Sequence, residues 1–117
     1  MKTADPTIFL PLTETTLYIL VSLAGGPLHG YGIGRQVRSL SGNRIILSVS
    51  TLYTTLKRLL EDGLIERVGD EEGTEASGHP RKTYALTDLG RSVLAAEKQR
   101  LQTLLTVVKR ETVGRGI

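Results

Sequence analysis

Apolar residues recur at helical spacing in four segments of the chain, and the first two segments lie close together. The first helix is predicted to start at the capping residue Thr13, with its apolar side chains at i, i+3, i+4 and i+7: Leu17, Leu20, Val21 and Ala24. The run at 25–27, Gly-Gly-Pro, ends this helix because glycine and proline both disfavour it. A second helix is predicted over 30–40, with Ile33, Val37 and Leu40 on one face.

The third predicted helix has the clearest pattern. Ser48 or Ser50 supplies its N-cap, Gly63 follows its end at Asp62, and its apolar residues are Leu52, Leu56, Leu59 and Leu60. The opposite arc is polar and consists of Ser50, Thr51, Thr54, Lys57, Arg58 and Glu61. That arc faces solvent or a ligand, because the leucines take the side toward the core.

Two short strand patterns follow, at 64–68 and 82–86, and the stretch between them is predicted to be a long hairpin loop. Thr87 then caps a last helix that runs to about residue 110. The fold class is therefore mainly α with a small β-hairpin (α+β), in the order of a winged helix-turn-helix followed by a C-terminal dimerisation helix. In such folds the third helix enters the major groove and the hairpin, or wing, contacts the backbone beside it.

The predicted elements divide the chain into four parts. Residues 1–11 carry two prolines and no periodicity, so we expect an N-terminal arm that orders only against a partner. Residues 12–87 form the winged helix-turn-helix, 88–112 the dimerisation helix and 113–117 a tail.

The last helix is apolar over close to half of its circumference, which exceeds what packing on one small core requires. We expect its first part to pack on its own domain and a later set to form a dimer interface: Leu94, Glu97, Leu101, Leu104, Leu105 and Val108. Glu97 and Arg100 fall inside the apolar arc, so they are predicted to pair or to face a cavity at that interface, where an effector could also sit. The alternative is a helix that folds back on its own domain.

Composition excludes several function classes. Fifteen Lys and Arg against twelve Asp and Glu give a net charge of +3, which is compatible with a polyanionic partner. The chain has no cysteine, and its histidines, His29 and His79, have no second ligand nearby, so we expect no metal and no other cofactor. No catalytic constellation or cofactor motif is present, so an enzyme is not expected. The absence of a signal peptide and of a long apolar run predicts a cytoplasmic protein.

Four ordered motifs resemble the PadR family of transcriptional regulators over roughly residues 12–108. They are Leu-Thr at 12–13, GPLHGYGI at 26–33, the run STLY with LKRL and DGLI between 50 and 65, and RKTYALTDLG at 81–90. The resemblance implies a homodimeric repressor on a near-palindromic operator, often released by a small-molecule effector. It also implies the subfamily with a single C-terminal helix.

The predicted DNA-binding residues lie on the third helix and the later limb of the wing: Ser50, Thr51, Tyr53, Thr54, Lys57, Arg58, His79, Arg81 and Lys82. Hydroxyls can contact phosphates or base edges, and arginine can bind guanine through two hydrogen bonds. The acidic run Asp70, Glu71, Glu72 and Glu75 would be repelled by phosphates, so the earlier limb is excluded.

Several alternatives stay open. The polar arc of the third helix could be a solvated face, and Tyr53 could belong to the core, where Tyr31 and Tyr84 are also expected. The whole chain could also be a winged-helix protein–protein interaction module without specific DNA binding, which the acidic wing and the modest net charge would suit.

Overall fold

The computed structural model of the chain describes residues 5–74 and 80–114, with the backbone alone at 70–74 and 80–81. Its elements, in order, are a 3-10 helix (Pro6–Phe9), α1 (Glu14–Ala24), β1 (Leu28–His29), α2 (Gly30–Leu40), α3 (Val49–Glu61), β2 (Ile65–Thr74), β3 (Pro80–Leu86) and α4 (Asp88–Thr112). The predicted fold class, mainly helical with a small wing, is confirmed.

Side-chain caps fix where three of the helices begin. Thr13, Ser48 and Thr87 each accept a hydrogen bond from the backbone N–H three residues later, at 3.1, 3.2 and 3.0 Å. Each bond satisfies an N–H that the first helical turn leaves without a partner. At the other end of α3, Gly63 has a φ of +76°, a left-handed conformation that glycine adopts without steric cost.

The sheet has three strands in the order β1-β3-β2, where the sequence predicted a two-stranded hairpin. Leu28 of β1 pairs with Tyr84 of β3, and Ile65 of β2 pairs with Leu86. The ten residues of β2 extend through much of the predicted loop, with register irregularities after Arg67 and Asp70. A two-residue strand has no periodicity, and glycines and acidic residues disfavour strands. Only pairing with β3 therefore reveals β1 and the later part of β2.

The core lies where α1, α2 and α3 meet the sheet and the first half of α4. Its buried side chains are Ile19, Leu20, Leu23, Ile33, Val37, Leu52, Leu56, Leu59, Leu64, Ile65, Tyr84, Leu86 and Val93. The predicted face of α1 is wrong, because Ile19 and Leu23 are buried beside Leu20, whereas Val21 and Ala24 are exposed. Leu40, predicted on the apolar face of α2, is exposed as well. The apolar spacing predicted the buried residues of α3, and Tyr84 packs in the core as expected, at 3% exposure. This packing fixes α3 so that its polar arc points away from the body.

The described part of the N-terminal arm, residues 5–11, packs on its own chain, which corrects the expectation that the arm orders only against a partner. Asp5 caps the 3-10 helix by accepting the amide of Thr7 at 2.9 Å, and that helix packs on α4. The amide of Leu12 donates to Glu97 Oε2 at 2.8 Å. A buried carboxylate is a strong acceptor, so this bond fastens the arm to α4.

Glu97 links arm stability to pH. The Arg100 guanidinium, and to a smaller degree the Leu12 amide, hold the pKa of Glu97 below its ordinary value of 4.5, although burial acts in the opposite direction. A lowered pKa means that the bound carboxylate stabilises the fold above the unfolded-state value, and that this contribution is lost as the pH falls through the folded-state value.

We therefore expect the Glu97→Gln protein to lose about 1–3 kcal/mol of unfolding free energy at neutral pH, because the carboxylate's charge-assisted bonds are weakened. As the pH falls through 4.5, its stability should decline less steeply than that of the wild type. Urea unfolding at a series of pH values measures both quantities. Glu61→Gln, which changes an exposed carboxylate, is the control, and equal acid sensitivity in all three proteins would contradict the assignment.

Candidate nucleic-acid interface

The polar arc of α3 forms an exposed surface opposite the buried leucines. Its six predicted members are all exposed, whereas Leu52, Leu56 and Leu59 are exposed by 5% or less. Ser50, Thr54 and Lys57 occupy the centre of this surface, because i, i+4 and i+7 positions share one helix face. Two hydroxyls followed by a cation one turn later provide both donors and acceptors for base edges and a charge for phosphate.

Arg58 lies at the edge of this surface and contacts α1. Its Nη2 donates to the hydroxyl of Thr16 at 3.0 Å, and Thr16 is 4% exposed. The guanidinium that was predicted to bind bases therefore has an intramolecular partner on another helix.

Tyr53 packs beside the start of α2. Its ring is half-buried, and a Cβ added at Gly30 would lie 2.6 Å from its hydroxyl oxygen. The missing side chain at Gly30 thus makes room for the tyrosine. This position fits the core interpretation that the sequence left open beside a DNA contact.

The later limb of the wing lies on β3, next to the start of α2. Lys82 is half-buried and stands opposite Asp70 in the strand register. Thr83 Oγ1 lies 3.0 Å from His29 Nδ1, a hydrogen bond that joins β3 to β1. Arg81 belongs to β3 by its backbone; its side chain, and all of His79, lie outside the described residues.

A cationic surface on α2 was missed by the sequence reasoning. Arg35 and Arg38 are exposed, and Tyr31 is 54% exposed, which corrects the expectation that this ring packs in the core. The Arg35 guanidinium lies 6.0 Å from the Tyr31 ring centroid, and Arg38 Nε donates to Asn43 at 3.1 Å in the turn before α3. The sequence does contain a signal for this surface, since residues 31, 35 and 38 are spaced to share one helix face, opposite Ile33 and Val37.

An apolar groove of about 750 Å³ lies between α1 and α4. Its lining includes Leu17, Tyr18, Val21, Leu94, Leu101 and Leu105, with Arg91 and Lys98 beside them. Beyond residue 100 every side chain of α4 up to Glu111 is exposed, including Leu104 at 50% and Val108 at 48%. The second half of α4 thus carries an apolar stripe, formed by Leu101, Leu104, Leu105 and Val108, that the described residues leave uncovered.

Glu97 lies apart from that stripe. It is 1% exposed within a single chain, so it offers no surface to a partner, which corrects its prediction as an interface residue. Its predicted pairing with Arg100 is confirmed, since Arg100 Nε donates to Glu97 Oε1. The sequence could not distinguish a Glu97 buried in its own chain from a Glu97 at a dimer interface, because the N-terminal segment that covers Glu97 comes from the far end of the chain.

The described residues contain neither a metal-binding cluster nor a membrane-spanning helix. Within 5–74 and 80–114, no three His, Cys, Asp or Glu side chains gather as a metal ion requires. No helix in those ranges is long and apolar enough to cross a membrane.

The chain has clear relatives among known proteins. The transcriptional regulator PadR-like family matches residues 19–96. The transcriptional regulator Rv3488 of Mycobacterium tuberculosis is 33% identical over 103 residues, which are 86% of this chain and 90% of that protein. An uncharacterized 37.1 kDa protein in transposon TN4556 of Streptomyces fradiae is 32% identical over 91 residues, 78% of this chain, and the chain spans only 24% of its length.

The fold is similar to that of a solved family member. The crystal structure of Bacillus subtilis PadR in complex with operator DNA matches at a TM-score of 0.60 and 30% identity, over 74% of this chain and 46% of that chain. With the matched family, the relative of nearly equal length and the helix-wing order, this shows that the chain belongs to the PadR-like family of transcriptional regulators and has its winged helix-turn-helix fold.

Proposed function

We propose that the chain binds operator DNA as a homodimer and represses transcription by occluding a promoter until a small-molecule effector releases it. The exposed face of Ser50, Thr54 and Lys57 on α3 carries the proposal, because it combines the donors, acceptors and charge that the major groove requires. The structurally similar Bacillus subtilis PadR, solved with operator DNA, supports it.

DNA contacts would be divided between two elements. The exposed face of α3 enters the major groove, and β3 with Arg81, Lys82 and His79 lies on the adjacent backbone. The cations Arg35 and Arg38 extend the positive surface along α2, the helix that crosses the backbone in such motifs. Phosphate contacts of this kind position the protein, while the α3 side chains discriminate bases.

The dimer would form through the uncovered stripe of α4. Large apolar side chains exposed side by side mark protein–protein surfaces more often than singly scattered ones do. Two copies joined there would present their α3 helices to successive major grooves, about 34 Å apart, and so favour a palindromic site. The groove between α1 and α4 lies next to the stripe and is the place where an effector would bind.

Replacing Lys57 with alanine tests the DNA interface. We expect affinity for a duplex selected from random sequence to fall about tenfold, the loss that one good base or phosphate contact produces. The slope of log affinity against log salt should fall by about one unit if the contact is to phosphate. Lys109→Ala removes an equal charge from the exposed end of α4 and is the matched control.

Titration of a random duplex at low salt distinguishes DNA binding from the alternative function, a protein–protein interaction module. Equal binding by the Lys57→Ala and Lys109→Ala proteins would reject α3 as the interface. If the wild type fails to bind any duplex at about 10⁻⁴ M, the weak limit of non-specific binding, the fold is a protein–protein interaction module instead. Glu61, exposed on the same face of α3, and the acidic residues of β2 would suit that alternative.

A further inference from the structure

The first turn of α1, together with Leu12 and Thr13 before it, contacts three other parts of the fold. Its carboxylate Glu14 pairs with Arg44 in the turn between α2 and α3. Two further polar contacts are made by this segment: Thr16 with Arg58 of α3, and the amide of Leu12 with Glu97 of α4. This segment thus contacts both α3 and α4.

The contact with α4 has a buried acceptor, Glu97, which is 1% exposed. Glu97 Oε2 receives the Leu12 amide at 2.8 Å and Oε1 receives Arg100, so both carboxylate oxygens are occupied. Glu97 follows Leu94 and precedes Leu101, two residues that line the groove between α1 and α4. A change in the groove therefore acts on the same segment of α4 that holds Leu12.

The contact with α3 uses a hydroxyl that is itself fixed. Thr16 Oγ1 accepts from Thr13 Oγ1 at 2.9 Å as well as from Arg58 Nη2 at 3.0 Å. Thr13 caps α1 and directly follows Leu12, so the two contacts are joined by one turn of helix. The guanidinium of Arg58 is a charged donor, which makes its bond to the buried hydroxyl stronger than a neutral one.

We propose that Arg58 is a positioning residue, which holds α3 on the first turn of α1 through Thr16, while Glu97 holds the same turn on α4. This linkage sets the angle at which α3 meets DNA, and it couples that angle to whatever occupies the groove side of α4. The inference rests on the proposed DNA binding and assigns Arg58 a role other than base recognition.

A double-mutant cycle tests the linkage. The proteins are Thr16→Val, which removes only the hydroxyl, Arg58→Met, which keeps the length of the side chain, and the double variant. We expect each single change to weaken binding of the selected duplex about tenfold, the effect of one lost charge-assisted bond, and the double change to weaken it no further. Affinity for a scrambled duplex and the salt slope should stay unchanged, because no phosphate contact is lost.

Glu97→Gln extends the test to α4. This change should lower the affinity ratio between selected and scrambled duplex, as Thr16→Val and Arg58→Met do, although Glu97 is outside α3. Thr16→Ser keeps the hydroxyl and should behave as the wild type. Melting temperatures show which proteins are folded at the assay temperature, and a general loss of folded protein would lower binding of both duplexes alike.

Two results would overturn the inference. If Thr16→Val binds normally while Arg58→Met is weakened and loses about one unit of salt slope, Arg58 contacts DNA directly. If the two single effects multiply in the double variant, the residues are not linked. If the Thr16→Val protein does not fold, the salt slope of Arg58→Met decides the question. An unchanged slope supports the positioning role, and a slope lower by about one unit shows a direct DNA contact. A wild type that selects no duplex rejects the proposed function itself, an outcome distinct from these.

Discussion

The Leu105→Glu protein is expected to be a monomer whose affinity for the selected duplex is about a hundredfold lower or worse. Leu105 is 52% exposed in a single chain and lies on the uncovered stripe of α4, so the substitution leaves the monomer fold intact. In a two-fold interface the same patch of each copy is buried, so the substitution would bury two carboxylates, one from each copy, among apolar side chains. Losing the second half-site contact removes the gain of about 10²–10⁴ that bivalent binding provides.

Analytical ultracentrifugation and a duplex titration measure the two parts of this result. Thr103→Glu adds the same charge to the exposed half of α4, but about 160° around the helix from position 105. It should remain dimeric and bind as the wild type does. A wild-type protein that sediments as a monomer would reject the proposed dimer, and a Leu105→Glu protein that remains a dimer would place the interface elsewhere.

The Gly90→Ala protein is expected to lose about 3 kcal/mol or more of unfolding free energy, because overpacking against backbone leaves no room for adjustment. A Cβ at Gly90 would lie 2.0 Å from the carbonyl oxygen of Leu64 and 3.0 Å from its carbon. The close approach is held by Thr87, whose hydroxyl donates to the Gly63 carbonyl at 2.5 Å and whose amide donates to that of Leu64 at 3.2 Å. The start of α4 is thereby docked on the turn that follows α3.

Helix propensity alone predicts the opposite sign, since alanine in a helix interior is favoured over glycine by about 1 kcal/mol. Gly34→Ala in α2 is the matched control, because a Cβ there would meet only Leu52 Cδ2, at 3.4 Å. That variant should be as stable as the wild type or slightly more so in urea unfolding. Similar stability changes for the two alanine variants would show that the docking at Gly90 is looser than described.

The helices and their ends could be predicted from the sequence because their causes are local. Apolar spacing and a capping hydroxyl act within one or two turns, so Thr13, Ser48 and Thr87 mark helix starts before any tertiary contact is known. The exposed face of α3 follows from the same periodicity. The stripe on α4 was also visible in the sequence, and the described residues leave it uncovered.

The first strand, the full length of β2 and the polar contacts between distant parts of the chain could not be predicted in this way. The two residues of β1 and the length of β2 depend on pairing with β3, which lies far along the chain from β1. Tyr31 was expected in the core because its side chain is aromatic, but it lies on a side of α2 where it is 54% exposed. Only the assembled fold decides which helix face is covered.

Four helices, a wing and a basic, hydroxyl-bearing third helix were thus determined by the sequence itself, through short-range periodicity and capping. Tertiary structure decided where the charged side chains go: it joined Glu97 to Leu12, 85 positions earlier, and Arg58 to Thr16, 42 positions earlier. The physical reason is that a buried polar group such as the Glu97 carboxylate or the Thr16 hydroxyl takes whichever donor the fold brings within reach, and sequence separation does not limit that choice.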